Sequence, residues 1–145
     1  MNVFKDHVQT CVFLSLQIID KLQKAFDNEY YNRIEDLLCT IYGGEKTAQF
    51  GQFLFIKSKR MMVSPNVIPE HTLASVSRAI EIQEDLEKNS EKKSAQLGRY
   101  CYFQATVLEG LDKWAEAVDS LKKASEILGN YEEYAELKTE IDKHI

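Results

Sequence analysis

The chain has 145 residues, 44% of them hydrophobic and 10% aromatic, which suits one globular domain with a continuous core and excludes a disordered chain as the default. Its net charge of -5 speaks against a general affinity for nucleic acid or anionic lipid, because phosphate binding needs a clustered excess of Lys and Arg. Cys11, Cys39 and Cys101 lie far apart and odd in number, so neither a disulfide framework nor a zinc site is expected, and a reducing, cytoplasmic setting is. The apolar run from Cys11 to Leu14 is interrupted by Ser15 and Gln17 and followed by Asp20 and Lys21, so no signal peptide is expected. No apolar stretch reaches the roughly 20 residues needed to span a bilayer.

With two prolines, six glycines and no Asn-Gly or Asp-Gly pair, the chain has few places to turn a sheet, and it is expected to be all-α, with about seven helices. Val8, Cys11, Val12, Leu16, Ile19, Leu22 and Phe26 recur at helical spacing and predict a first helix over about Phe4–Phe26. Ile34, Leu37, Leu38 and Ile41 predict a second over Tyr30–Tyr42, ended by Gly43-Gly44. A third is predicted over Glu45–Met62, where Gly51 inside the pattern signals close approach of a neighbour. Val63–Pro69 holds both prolines and reads as the longest loop.

A fourth helix is predicted over Glu70–Lys88, with Leu73, Val76, Ala79, Ile80 and Ile82 on its apolar side. Ser90 before Glu91 predicts the start of a fifth, running to Leu111. Asp112 is expected to cap the sixth, with Gly129 as its left-handed C-terminal residue. Asn130 with Glu133 predicts the start of a last, amphipathic helix over about 131–145, carrying Tyr134, Leu137, Ile141 and Ile145 on one stripe and placed as an end cap.

The segment LEGLDKWAEAVDSLKKASEIL, from Leu108 to Leu128, puts Trp114, Ala117, Leu121 and Ala124 at spacings of three, four and three. Small residues at Ala117 and Ala124 let a paired helix approach while Leu121 fills the groove. Ala105 is the small residue of the preceding helix, followed by Leu108, with Gln104 where a leucine would be usual. Over about 98–131 the chain resembles the tetratricopeptide repeat family, whose 34-residue unit is two antiparallel helices. Phe50-Gly51 with Leu54, and Ala79, look like a second, weaker match. Gly51 and Ala105 are 54 residues apart, so the helices between must be longer or the Val63–Pro69 loop inserted. An irregular helical bundle or HEAT-like hairpins are the alternatives that the same rhythm allows.

The resemblance implies one domain over 1–145, with helical hairpins stacked as a short right-handed superhelix and Gly51, Ala105, Trp114, Ala117, Leu121 and Ala124 as its repeat core. It also implies a partner-binding groove lined by Phe55, Arg99, Tyr102, Thr106 and Glu109. Lys57, Lys59 and Arg60 form a compact basic group that could engage an acidic peptide or simply sit as a solvated helix end. His7, His71 and His144 are dispersed, and no nucleophile elbow, P-loop or dinucleotide loop occurs, so no catalysis, metal or cofactor is expected. The expected function is a protein-interaction scaffold or adaptor that receives a peptide or helix, with no nucleic-acid or membrane partner. The alternative is a peptide-sensing regulatory module, or a fragment of a larger regulator. An amphipathic terminal helix can cap its own chain or a neighbour's, which leaves homo-oligomerisation open.

Overall fold

The structure, a computed structural model, describes residues 10, 28–65 and 67–145; the first expected helix, Phe4–Phe26, falls almost wholly outside them. The described residues form six α-helices and no strand: α1 Asn28–Tyr42, α2 Ala48–Met62, α3 Pro69–Leu86, α4 Ala95–Gly110, α5 Trp114–Leu128 and α6 Ala135–His144, the last preceded by a 3₁₀ turn at Glu132–Tyr134.

Local chemistry sets the ends. Positive φ at Gly43 (76°) and Gly44 (145°) lets the chain reverse after α1, and the Gly44 amide returns to the Cys39 carbonyl at 2.8 Å. Thr47 caps α2 by accepting from the Phe50 amide at 3.1 Å, so that helix starts after Thr47 and not at Glu45. Pro69 opens α3, where its missing N–H costs nothing.

Four expected caps turn out differently. Helix α4 is capped by Ser94, not Ser90, because the Glu87 carboxylate accepts from the Ser94 amide (2.5 Å) and hydroxyl (2.7 Å) and ties the 87–94 segment into a turn. Asp112 does not cap α5; at φ 59° it terminates α4 in the left-handed region, which Asp tolerates, and Lys113 is the N-cap. Gly129 stays right-handed at φ -62°, and amides 130 and 131 close the end of α5 onto the Ile127 and Leu128 carbonyls. Asn130 donates back to the Glu126 carbonyl and does not cap the last helix.

Consecutive helices pack on one another, most extensively α4 with α5 and α2 with α3. Both pairs are antiparallel: Gly51 near the start of α2 lies against Ala79 and Ile82 late in α3, and Gly98 near the start of α4 lies against Ile127 and Leu128 at the end of α5. The hairpins are joined side by side. Ser120 of α5 donates to Gln104 of α4 at 2.8 Å, and Gln104 donates on to Ser77 of α3 at 3.1 Å, so Gln104 serves as a three-helix link. Lys123 of α5 pairs with Glu84 of α3 at 2.7 Å. One cluster of buried residues runs from Tyr31 in α1 to Ile141 in α6.

Gly51, Ala105, Ala117, Leu121 and Ala124 are buried, as the spacing predicts. Trp114 is not: it is 59% exposed. It is the first residue of α5, and helical side chains lean toward the N-terminus, so the indole projects beyond the body of the hairpin instead of between its helices.

Candidate functional site

Helix α2 presents Phe55, Lys59 and Met62 at i, i+4 and i+7, and helix α4 presents Arg99, Phe103, Thr106 and Gly110 at i, i+4, i+7 and i+11, each a single stripe at helical period. The stripes meet through side chains. The Phe55 ring lies 4.6 Å from that of Tyr100 and 5.6 Å, edge-on, from that of Phe103, and these rings fill the space between α2 and α4. Tyr100 is fully buried, with its hydroxyl accepting from Gln96 at 2.8 Å, and burial pushes its phenol above the ordinary tyrosine value.

Two cations share the Phe55 ring. Lys59 Nζ stands 5.3 Å and the Arg99 guanidinium 5.8 Å from its centroid. Gln96 accepts from Arg99 at 3.3 Å and steadies it. Among the described residues neither cation has a carboxylate partner, whereas Lys57, Arg78 and Lys123 each have one.

At the C-terminal ends of the two stripes lies a cleft of about 180 Å³ bounded by Met61, Met62, Val67, Thr106, Val107 and Gly110. Nothing stands within 4 Å of where a Gly110 Cβ would be, so its missing side chain leaves the cleft open. Thr106, half-buried and lining the cleft, donates its hydroxyl to the Tyr102 carbonyl at 3.2 Å. Met62 (43% exposed), Val63 (70%) and Ile68 (54%) add apolar surface at the same end of the hairpin. A contiguous group of exposed apolar side chains beside a cleft marks a contact surface better than scattered ones do.

The groove residues expected from sequence divide three ways. Arg99 and Thr106 lie in it. Phe55 is its floor, only 6% exposed, and packs rather than lines. Tyr102 and Glu109 are half-buried and sit about 60–80° around α4 from the stripe, on its flank. The expected basic group is dispersed: Lys57 turns to Glu35 on α1, Lys59 turns to Phe55, and Arg60 is half-buried. Lys57 and Lys59 are two residues apart, about 200° around a helix, so they cannot form one patch. Sequence reasoning missed Met62, Phe103 and Gly110. The 3.6-residue period through Lys59 and Arg99 is the signal that would have found them.

A second cleft, about 310 Å³, lies among α1, α2 and α3 and is lined by Glu35, Lys57, His71 and Arg78. Its strong cations are already neutralised, Lys57 by Glu35 and Arg78 by Glu45, with Arg78 also stacked 5.0 Å over Phe50. Cys101 is buried and its thiol is pushed up to about 11 by desolvation, which suits a small core hydrophobe and not a nucleophile. Among the described residues no group of His, Cys, Asp and Glu is arranged to hold a metal ion, and no helix is long and apolar enough to cross a membrane. The chain matches no protein-family model, curated protein or solved structure.

Proposed function

We propose that this chain is a non-enzymatic, cytoplasmic interaction scaffold or adaptor, its hairpins stacked in a tetratricopeptide-like superhelix, which receives a peptide or helix of a partner protein along the α2/α4 groove. The observation that carries this reading is the pairing of unneutralised cations at Lys59 and Arg99 with an open apolar cleft at Met62, Thr106 and Gly110. A surface with that division of chemistry suits a segment that buries an apolar side chain at one place and is oriented by charge at another. Covering exposed Met62, Val63 and Ile68 would contribute about 1–2 kcal/mol each, enough to anchor a short segment once ordering costs are met.

Met62→Glu tests the reading. The side chain is exposed enough to accept a carboxylate without unfolding the helix, and the charge would sit in the cleft. The variant should keep the helical circular dichroism and unfolding midpoint of the wild type and lose the proteins that the wild type captures from its source cells. Capture of the same proteins at the same strength by a folded variant would contradict it.

A further inference from the structure

Resting on that groove reading, we infer that its occupant is an acidic amphipathic segment: a peptide carrying a carboxylate side chain that sits between Lys59 and Arg99, and an apolar side chain that enters the cleft beside Met62 and Thr106. The groove has a chemical direction. Both cations stand over Phe55 at one end, and Glu109 lies on the flank of the other, so an acidic group is attracted at the Arg99 end and repelled near the cleft.

The cations are set up to receive an anion. Each is held near an aromatic face, which steadies its position but does not neutralise its charge, and the buried rings beneath keep water from one side. Elsewhere on the described helices half-buried Lys57 and Arg78 carry internal carboxylate partners; half-buried Arg99 and exposed Lys59 carry none among the described residues. A ligand carboxylate would give Lys59 and Arg99 the kind of partner that Lys57 and Arg78 find within the chain.

Length fixes the spacing of the occupant. From Arg99 to Thr106 and Gly110 the groove runs about 10–16 Å at 1.5 Å per helical residue. An extended peptide covers that in about three to five residues at roughly 3.3 Å each. A polyanion such as nucleic acid fits less well, because two cations followed by an apolar cleft offer no continuing track for phosphates, and the chain's net charge of -5 repels one.

The test is selection of a phage-displayed random peptide library on the 145-residue chain, followed by binding of the selected peptides to variants. The expected consensus has Asp or Glu about three to five residues from Leu, Ile, Met or Phe. The Lys59→Glu, Arg99→Glu double variant should weaken those peptides by about tenfold or more and select Lys or Arg at the acidic position instead. Should the reversal disturb folding by circular dichroism, Lys59→Gln with Arg99→Gln should give a smaller loss in the same direction. A consensus without an acid, or one indifferent to both double variants, overturns this inference and leaves the groove reading standing if Met62→Glu still abolishes binding. Displacement of the peptides by an oligonucleotide of equal charge also overturns it. Failure to select any peptide sensitive to Met62→Glu overturns both readings.

Discussion

A side chain on Gly98 would collide with Leu128: the Cβ that glycine lacks would stand 2.8 Å from the leucine Cγ and 3.0 Å from Cγ2 of Ile127. Leu128 is fully buried, so the leucine cannot swing into solvent to relieve the clash. Here α4 and α5 lie in close contact. This contact holds the N-terminal half of α4, and with it Arg99, against its hairpin partner.

Gly98→Ala is therefore expected to destabilise. Overpacking costs about 1–3 kcal/mol, against roughly 1 kcal/mol of helix propensity that alanine returns. Gly51→Ala should do the reverse. Its Cβ would meet Ile82 Cγ2 at an ordinary 3.5 Å, leaving the propensity gain of up to about 1 kcal/mol uncancelled. Urea unfolding of both variants checks the pair, with the midpoint falling for Gly98→Ala and rising for Gly51→Ala.

Glu87 is expected to make stability depend on pH. Burial pulls its carboxyl upward, but hydrogen bonds from the Ser94 hydroxyl and amide, and from Gln83, outweigh that and hold it below the usual value. A carboxylate depressed on folding contributes fully above its unfolded value of about 4.3 and loses that contribution as pH falls through the lower folded value. Glu87→Gln should cost about 1–2 kcal/mol at neutral pH. The gap between variant and wild type should narrow below about pH 4. Urea unfolding at neutral and acidic pH measures both.

Trp114 is the only tryptophan, so its fluorescence reports one site. At 59% exposure it should emit near the wavelength of indole in water and be readily quenched by acrylamide. Trp114→Ala should shift unfolding by only about 0.5 kcal/mol, not the roughly 3–5 kcal/mol of a tryptophan taken from a core. Emission at short wavelength with a large loss of stability would return Trp114 to the interior.

The helices were legible because apolar residues at a 3.6-residue period need only local information. Of the expected stripe Ile34, Leu37, Leu38 and Ile41, Ile34 and Leu38 are buried, Ile41 is half-buried and Leu37 is 42% exposed, while Ala117, Leu121 and Ala124 are all buried. The ends were less legible. The start of α4 at Ala95 depends on Glu87 reaching Ser94 across a turn, and Asp112 is left-handed because the end of α4 demands it; neither follows from a capping pattern. In the groove, neighbours in sequence such as Lys57 and Lys59 look like one patch until helical rotation separates them. Phe55 looks like a contact residue until Tyr100 and Phe103 cover it. Gln104 stands where the resemblance would put a leucine, yet it bonds to Ser77 and Ser120, and a long-range hydrogen bond leaves no periodic trace.

The most direct measurement places a photo-crosslinking amino acid at position 106, in the groove, and separately at exposed position 126 on α5, and compares the products in the source cells. The account predicts crosslinks to a partner protein from position 106, lost when Met62→Glu is added, and none of the same products from position 126. Equal crosslinking from both positions, or crosslinks from 106 that survive Met62→Glu, would contradict it.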